Sequence, residues 1–263
     1  MSEEKKLTFK PLKKGKSILL FDIDGTLTNP RQKIKQNMID YLKETGKKIS
    51  LASVGGSDLN KAKEQIGEIF PILDYKFTEN GLNSFDKEGK LFHTKRINQQ
   101  LTEDQLKEFI NFCLKYLSEL DIPIKRGNFI EFRTGMLNVS PIGRNCSQSE
   151  RDDFAKYNKE HHILEDFKKT LEDKFGEKFG LKISIGGQIS FDVFPNGWDK
   201  RYCLQFLKDF DNVIFFGDKT SVGGNDYEIS ICDDITRAYH VNSPEDTIEK
   251  IAQVLKEIEE VNK

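Results

Sequence analysis

The sequence predicts an α/β protein: a Rossmann-like parallel-sheet core interrupted by an inserted α+β cap domain over an antiparallel sheet. Three observations lead to this fold class. Strand, turn and helix alternate twice in the first part of the chain, the alternation returns near the end, and short alternating strands lie between. We therefore predict a split core over residues 1–91 and 198–263 and an inserted cap over residues 92–197.

The first part of the predicted core contains two strand–turn–helix units. A continuous apolar run at Ser17–Phe21 is typical of a strand buried on both faces of a parallel sheet, and the helix after it ends at Gly46. A second strand covers residues 49–54, and a Gly-Gly turn leads to a helix that begins at Ser57 or Asp58. Repeated units of this kind build a parallel sheet.

The inserted part has a different pattern. Capping boxes at Thr102 with Gln105 and at Ser147 with Glu150 open two helices, and the first helix carries an apolar stripe that includes Leu114. Four short strands are predicted at Phe129–Arg133, Met136–Val139, Leu181–Ile185 and Ile189–Phe194. Paired strands with intervening helices indicate a small antiparallel sheet with helices packed on it.

The parallel-sheet pattern returns after Trp198. A helix is predicted at Lys200–Lys208 and a buried strand at Val213–Phe216. The final helix takes Ser243 as its N-cap and Pro244 as its first residue. The end of the chain therefore completes the core that the insertion interrupts.

The composition excludes several classes of partner. The 263 residues include 41 Lys+Arg and 43 Asp+Glu, which gives a net charge of −2. Proteins that bind duplex nucleic acid usually carry a basic excess, and membrane-surface proteins carry a basic amphipathic stretch, so we expect neither nucleic acid nor membrane as a partner. The four cysteines form no CxxC pair, and the start of the chain lacks the apolar stretch of a signal peptide. We therefore expect free thiols and a cytoplasmic location.

Carboxylates follow two of the predicted core strands. Asp22 and Asp24 come directly after the first strand, and Asp218 follows the late strand. Open α/β sheets bind ligands at the carboxyl ends of their strands, where one carboxylate can attack phosphorus while another transfers a proton. Because two carboxylates would repel a phosphate, the pattern also indicates a divalent cation, with Mg²⁺ as the best fit. Each segment alone could instead be a polar turn, closed at the first site by Gly25.

Other polar residues suit a phosphorylated sugar, although each also has a plainer interpretation. Gly56 and Ser57 could cradle a phosphate at a helix start, or they could form an ordinary turn with an N-cap. Lys200 could neutralise phosphate charge, or it could be a solvated lysine. Ser190 and Asp192 share one face of a strand and could bind sugar hydroxyls, or they could face water.

Arginines are concentrated in the inserted part. Eight arginines accompany 33 lysines, yet Arg126, Arg133, Arg144 and Arg151 fall within one stretch that contains no lysine. Arg binds phosphate or carboxylate through a planar fork that Lys does not have. The cluster indicates an oxyanion-binding site, and chance clustering with surface salt bridges is the alternative.

Longer stretches of the sequence resemble a known family. The Asp-x-Asp-Gly-Thr segment, the Gly/Ser turn, Lys200 and the Gly217-Asp218 pair match the four motifs of the haloacid dehalogenase superfamily. Within it, the chain is similar to the eukaryotic phosphomannomutase family in the segments FDIDGTLT, SVGGSD, ENGL, RGNFIEFRTGMLNVSPIGRNCSQSER, SIGGQISFDVFPNGWDKRY and GDKTSVGGND. This similarity runs from about Ser17 to the C-terminus and implies the haloacid dehalogenase fold for the core.

The resemblance implies roles for the core residues. Asp22 would be the nucleophile that becomes aspartyl-phosphate, and Asp24 would be the general acid/base. Mg²⁺ would be held by Asp22, the Asp24 carbonyl and Asp218, while Lys200 would support the phosphoryl group. A second cation site of the family falls on Ile231, Asp233 and Thr236.

The resemblance also implies a substrate and a reaction. The sugar-phosphate ligands of the family fall on Arg31, Arg133, Arg144, Arg151, Ser190 and Asp192, and Arg126 has no assigned contact with substrate. The implied enzyme is a cytoplasmic homodimer, paired through the cap, that interconverts mannose 6-phosphate and mannose 1-phosphate for GDP-mannose synthesis. Its activator would be glucose or mannose 1,6-bisphosphate. A sugar-phosphate phosphatase with the same core is the main alternative, and a non-catalytic phosphosugar-binding protein is a third.

Overall fold

The chain divides into two compact units. The computed structural model describes residues 6–185 and 188–263, so Gly186 and Gly187 of the SIGGQISFDVFPNGWDKRY segment lie outside the described residues, as do the first five. One unit, the core, extends to Thr94 and resumes at Gly197, and the other, the cap, covers Lys95–Asn196. The predicted boundary between residues 91 and 92 falls inside a strand of the core sheet, because Leu91–Thr94 pairs with the strand before it.

The core is built on a seven-stranded sheet. With strands numbered along the whole chain, its members are β1 (Ser17–Phe21), β2 (Ser50–Val54), β3 (Tyr75–Thr78), β4 (Asn83–Phe85), β5 (Leu91–Thr94), β10 (Asn212–Gly217) and β11 (Arg237–His240). Their order is β11-β10-β1-β2-β3-β4-β5, and the first five are parallel. Since β1 lies between β2 and β10, the early and late parts of the chain form one sheet, as predicted for a split core. The sequence predicted β1, β2 and β10, but it did not predict β3, β11 or the antiparallel-paired β4 and β5.

Alternating residues of β1 bury both faces of the core sheet. Leu19 and Phe21 pack in one apolar cluster with residues of the first, second and last helices, whereas Ile18 and Leu20 pack in a cluster on the opposite face. The core helices are α1 (Gln36–Thr45), α2 (Leu59–Ile66), α7 (Tyr227–Ser230) and α8 (Pro244–Asn262). The predicted helix at 200–208 is a 3₁₀ helix, Lys200–Phe206, whose N-cap is Asp199.

The cap is a four-stranded antiparallel sheet with helices. Its strands are β6 (Ile130–Phe132), β7 (Leu137–Val139), β8 (Leu181–Ile185) and β9 (Phe191–Pro195), in the order β6-β7-β9-β8. Its helices are α3 (Glu103–Glu119), α4 (Gln148–His161), α5 (Ile163–Leu171) and α6 (Glu177–Phe179), with a π-helical turn at Glu172–Gly176.

Both predicted capping boxes are present in the cap. The Thr102 hydroxyl accepts a hydrogen bond from the Gln105 N–H, and Ser147 caps α4 in the same way. One predicted core residue of α3 is wrong: Leu114 is 48% exposed, whereas Cys113 beside it is buried. The stripe is narrower than predicted because Leu114 lies at its margin. No helix in the part of the chain that the structure describes is long and apolar enough to cross a membrane.

Candidate active site

Three carboxylates meet at the carboxyl edge of the core sheet. Asp22 follows β1, Asp218 follows β10, and Asp226 precedes α7. One oxygen of each lies within 4.8 Å of one oxygen of the other two. The parallel register explains the first two positions: Phe21 is paired with Phe216, and the Asp22 N–H donates to the Phe216 carbonyl at 2.9 Å. The strand ends thus bring together carboxylates that are almost two hundred residues apart in sequence.

Two glycines let the carboxylates approach the backbone. Gly25 has φ +81°, and a Cβ there would lie 2.3 Å from an Asp218 carboxylate oxygen. A Cβ at Gly217 would lie 2.7 Å from Asp226 Cγ. Any larger residue at either position would have to displace a carboxylate of the site.

Lys200 is the counter-ion of this acidic triad. Its side chain is 1% exposed, and its ammonium donates to Asp22 Oδ1 and, at 2.5 Å, to Asp226 Oδ1. Burial opposes the charge of Lys200, but the two carboxylates outweigh burial and raise the pKa of the ammonium above its ordinary value. The lysine is therefore a fixed positive charge, and the solvated-lysine interpretation of the sequence is wrong.

Burial favours the protonated form of two carboxylates in the acidic triad, Asp22 and Asp218. It raises the pKa of Asp22 to about 7, although Lys200 opposes the shift, and Asp226 adds to it. The pKa of Asp218 is raised by burial and then by the charge of Asp226. One ammonium does not offset three carboxylates, so the site favours a further positive charge.

The acidic triad fits a divalent cation. Asp218 Oδ1 is buried and has no hydrogen-bond partner among the described residues. Such an oxygen is costly to bury unless a ligand or an ion satisfies it. Carboxylate oxygens are the ligands that hard divalent cations prefer. Asp22 and Asp218 therefore match their predicted place at a metal site.

Asp24 is held by two neutral donors. Its Oδ1 accepts a hydrogen bond from the backbone N–H of Arg31 and another from the Gln65 amide of α2, both at 2.7 Å. Arg31 has φ +61°, a left-handed conformation that turns its N–H toward Asp24, and it is exposed. In this structure Arg31 contributes its backbone to the site, whereas the resemblance implied a role in sugar-phosphate binding.

The predicted Gly/Ser turn lies at the same sheet edge. Gly56 is exposed and Ser57 is half-buried, directly after β2, whose residue Ser53 is paired with Phe21. Ser57 does not cap α2: the side chain of Asp58 caps it by accepting from the Lys61 N–H at 2.9 Å. The Ser57 hydroxyl is thus not used as a helix cap, and the N-cap interpretation of Ser57 is wrong.

The cap has its own polar network, centred on Asn138. The amide of this buried residue donates to Asp192 Oδ1 at 2.7 Å and to Ser190 Oγ at 3.1 Å. Its carbonyl oxygen accepts from Arg144 at 2.7 Å. Asn138 and Asp192 are paired across β7 and β9, so the sheet register fixes this arrangement. The structure thus brings three predicted ligands together around an unpredicted asparagine.

Glu131 links two of the cap arginines. Its carboxylate accepts hydrogen bonds from Arg133 and lies 3.3 Å from Arg144. Arg151 reaches the same group by donating to the Arg144 carbonyl at 3.1 Å. The described structure therefore gathers three of the four clustered arginines, and burial raises the pKa of Asp192 beside them, an effect that Asn138 and the arginines oppose.

Arg126 differs from these three arginines. It forms a salt bridge at 2.7 Å with Glu150, the capping-box residue of α4. The Arg126 side chain is 44% exposed. Its role in the structure is therefore to stabilise the start of α4 through a surface salt bridge. For Arg126, this matches the salt-bridge alternative considered in interpreting the arginine cluster.

Four site residues were missed by sequence reasoning: Asp226, Asn138, Gln65 and Glu131. Asp226 was visible only as the last residue of a GDxxxxxxxD pattern, too weak a signal to assign it. Asn138 and Gln65 gave no signal, because a buried amide cannot be distinguished by pattern from a surface one. Their partners become evident only when strand register and helix packing are known.

The predicted second cation residues lie in one loop before β11. Asp233 has a fully exposed side chain, and the Thr236 hydroxyl oxygen accepts a hydrogen bond from the Val213 N–H at 3.1 Å. Ile231 is half-buried.

Solved structures share the fold. An IMP-bound IMP-nucleotidase of Plasmodium falciparum superposes with a TM-score of 0.59 at 17% identity, covering 92% of this chain and 68% of its own. A haloacid dehalogenase-like hydrolase from Bacteroides thetaiotaomicron gives a TM-score of 0.56 at 13% identity, covering 91% and 99%. These likenesses confirm the predicted haloacid dehalogenase fold and go no further than the fold.

Sequence relatives are much nearer. Phosphomannomutase of Triticum aestivum is 52% identical over 90% of this chain and 94% of its own length. Phosphomannomutase 1 of Dictyostelium discoideum is 55% identical over 88% and 93%. The family model for eukaryotic phosphomannomutase matches residues 38–257. The resemblance seen in the sequence is thereby confirmed: the chain belongs to the eukaryotic phosphomannomutase family.

Proposed function

We propose that this chain is an isomerase that interconverts mannose 6-phosphate and mannose 1-phosphate. The observation that carries the proposal is that a buried carboxylate bonded to a fixed ammonium is followed, two residues later, by a half-buried carboxylate held by neutral donors. The first arrangement suits a nucleophile that receives a phosphoryl group, and the second suits a group that exchanges protons. The names of the relatives support this activity.

In the proposed reaction, Asp22 attacks phosphorus and becomes aspartyl-phosphate. One oxygen of Asp22 already accepts from Lys200, and this contact keeps the carboxylate oriented and balances part of the incoming charge. Mg²⁺, held by Asp22, Asp218 and the Asp24 carbonyl, would neutralise charge on the phosphoryl oxygens when bound. Asp226 holds Lys200 from its other side and so fixes the position of the ammonium.

Asp24 moves the proton in each half-reaction. It protonates the sugar oxygen that leaves when Asp22 is phosphorylated, and it takes the proton from the sugar hydroxyl that later attacks aspartyl-phosphate. The intermediate is a hexose 1,6-bisphosphate, which explains the activator. Because Gln65 and the Arg31 N–H bind one Asp24 oxygen, the other oxygen is the one we assign to proton transfer.

The cap supplies recognition of the substrate. Arg144 and Arg133 are half-buried and already oriented by Glu131 and Asn138, so they can bind a phosphate with little loss of side-chain entropy. Arg151 adds a third guanidinium. Ser190 and Asp192 can bind sugar hydroxyls, and in the core Gly56 and Ser57 can bind phosphate oxygens.

Assembly and location are also proposed. We infer a homodimer formed through the cap. This inference is supported by Phe132, an aromatic residue on the edge strand β6 whose side chain is 54% exposed. Neither nucleic acid nor a membrane is proposed as a partner. The place of action is the cytoplasm, and the product feeds GDP-mannose synthesis.

A coupled assay tests the activity. The purified chain, with Mg²⁺ and glucose 1,6-bisphosphate, should convert mannose 1-phosphate to mannose 6-phosphate, and phosphorus NMR should show no matching release of inorganic phosphate. Glucose 1-phosphate serves as the parallel substrate. Release of inorganic phosphate without mannose 6-phosphate would identify the chain as a phosphatase and overturn the proposal.

A further inference from the structure

A short segment near the start of the described residues forms a strap along the edge of the core sheet. Residues Thr8–Lys10, called the N-terminal strap below, lie outside the stretch that resembles the family, which begins at about Ser17. Phe9 forms an antiparallel bridge with Arg237 of β11, the edge strand. The Ala238 N–H donates to the Thr8 carbonyl at 2.8 Å, and the Arg237 guanidinium donates to the Lys10 carbonyl at 3.0 Å. The strap therefore covers an edge that would otherwise present unpaired backbone groups.

The strap also bonds the loop that precedes β11. The Thr8 N–H donates to the Ser230 carbonyl at 2.9 Å, and its hydroxyl donates to the Cys232 carbonyl at 3.1 Å. The Lys10 N–H donates to the Thr236 carbonyl at 2.8 Å. The carbonyls of Ser230, at the end of α7, and of Cys232 and Thr236, in the loop, thus receive donors from one short segment.

The ammonium of Lys10 is a further donor from the strap to this loop. It donates to the Asp233 carbonyl and lies 3.5 Å from the Asp233 carboxylate. The Thr236 hydroxyl oxygen accepts from the Val213 N–H. The loop oxygens at Asp233 and Thr236 that the resemblance assigns to a second cation therefore already face N–H donors and a positive charge.

A metal ion fits this loop poorly. A cation needs several oxygens that are not turned toward N–H groups, and it would be repelled by an ammonium that contacts two of them. We propose that the Lys10 ammonium takes the place of the second cation in this chain, so that the core holds one divalent cation, at the acidic triad. The proposal does not depend on which sugar phosphate the enzyme uses.

Metal-binding calorimetry on the metal-stripped full chain tests the proposal directly. Titrated with MgCl₂, the wild type should bind one ion per chain and D218N none. Thermal unfolding provides the second readout: neither MgCl₂ nor KCl should raise the midpoint of D218N beyond what choline chloride does at equal ionic strength. Persistent binding or stabilisation in D218N that the double variant D218N/D233N loses would overturn the proposal. A wild type that binds no cation would contradict the Mg²⁺ site at the triad and would still agree with the Lys10 proposal.

The role of Lys10 itself is tested by Lys10→Met. Because this change removes one charged hydrogen bond at a half-exposed position, we expect its unfolding midpoint to fall by about 1–3 °C at low salt. The matched control is Lys14→Met, which removes an exposed lysine four residues after Lys10, outside the strap, and should leave the midpoint unchanged. Equal midpoints for K10M and K14M would overturn the assigned role of the ammonium.

Discussion

In both the core and the cap, side chains of like charge lie close to a side chain of opposite charge. In the core, Lys200, which is 1% exposed, binds two of the three clustered carboxylates. In the cap, Arg133 and Arg144 flank Glu131, and these side chains are about one-third exposed. Water screens the cap charges but not the core charges. Substitutions in the core should therefore affect both stability and chemistry, whereas those in the cap should mainly affect binding.

The largest effect is expected for Asp22→Asn. The amide has nearly the same shape but cannot attack phosphorus, so we expect kcat to fall by roughly 10³-fold or more while the protein stays folded. The coupled mutase assay measures the loss, and a thermal melt checks the fold. Asp40→Asn, at an exposed position on α1, is the matched control. Retention of more than a tenth of the wild-type kcat in D22N would refute the assignment of the nucleophile.

Lys200→Met should lower both the free energy of unfolding and the mutase activity. Without the ammonium, Asp22 and Asp226 are buried carboxylates with no counter-charge, and we expect a loss of about 3–5 kcal/mol in the free energy of unfolding. Denaturant titration measures it, with Lys208→Met as the exposed control. Adding Asp226→Asn to K200M should recover part of the loss. A K200M protein as stable as K208M would show that the core charges are screened like those of the cap.

The stability of the metal-free core should fall as pH rises from about 4 to 7. Asp22 has a pKa near 7 in the folded chain and near 3.8 when unfolded, so in this window the folded state binds more protons and deprotonation favours unfolding. Because metal ligands must be deprotonated, stabilisation by Mg²⁺ should be larger at pH 8 than at pH 5. Thermal melts over this range with and without Mg²⁺ test both statements. In D22N, the unfolding midpoint of the metal-free protein should depend less on pH. If its pH dependence were the same as in the wild type, a group other than Asp22 would be responsible for it.

In the cap, Asn138→Leu should separate binding from catalysis. Leucine fills a similar volume but leaves Arg144, Ser190 and Asp192 without their shared partner, so we expect KM to rise about tenfold with little change in kcat. Asn138→Asp keeps an acceptor for Arg144 and should raise KM less. Asn145→Leu, at an exposed position nearby, is the control. Equal losses in kcat for N138L and N138D, with unchanged KM, would contradict a positioning role.

The sequence predicted those parts of the molecule that local patterns encode. Buried runs gave β1 and β10, and the carboxylates after them gave Asp22 and Asp218, because a parallel sheet places both strand ends at one edge. Capping boxes gave the starts of α3 and α4. The β4–β5 hairpin was not predicted because its last strand, Leu91–Thr94, is mostly exposed and lacks a clear apolar alternation.

Two of the missed site residues depend on contacts that are distant in sequence. Gln65 meets Asp24 across 41 positions, and Asn138 meets Asp192 across 54. A buried glutamine on a helix has the same pattern as an exposed one until the packing of α2 is known. Lys200 shows the same limit, since its burial between two carboxylates contradicts the exposure expected of a lysine.

The smallest effect is expected for Arg126→Ala, and it decides how the arginine cluster should be understood. Arginine suits phosphate binding, but it also suits bidentate pairing with carboxylates, and the structure uses Arg126 for the second purpose, on the exposed side of the Glu150 capping box. We expect KM and kcat within twofold of wild type and a loss of stability of at most about 1 kcal/mol. A KM raised as much as in N138L would extend phosphate recognition to all four arginines. Wild-type kinetics would restrict phosphate recognition to Arg133, Arg144 and Arg151, which belong to the Glu131–Asn138 network. The preference for arginine over lysine in this stretch would then reflect pairing with nearby carboxylates as much as binding of the substrate.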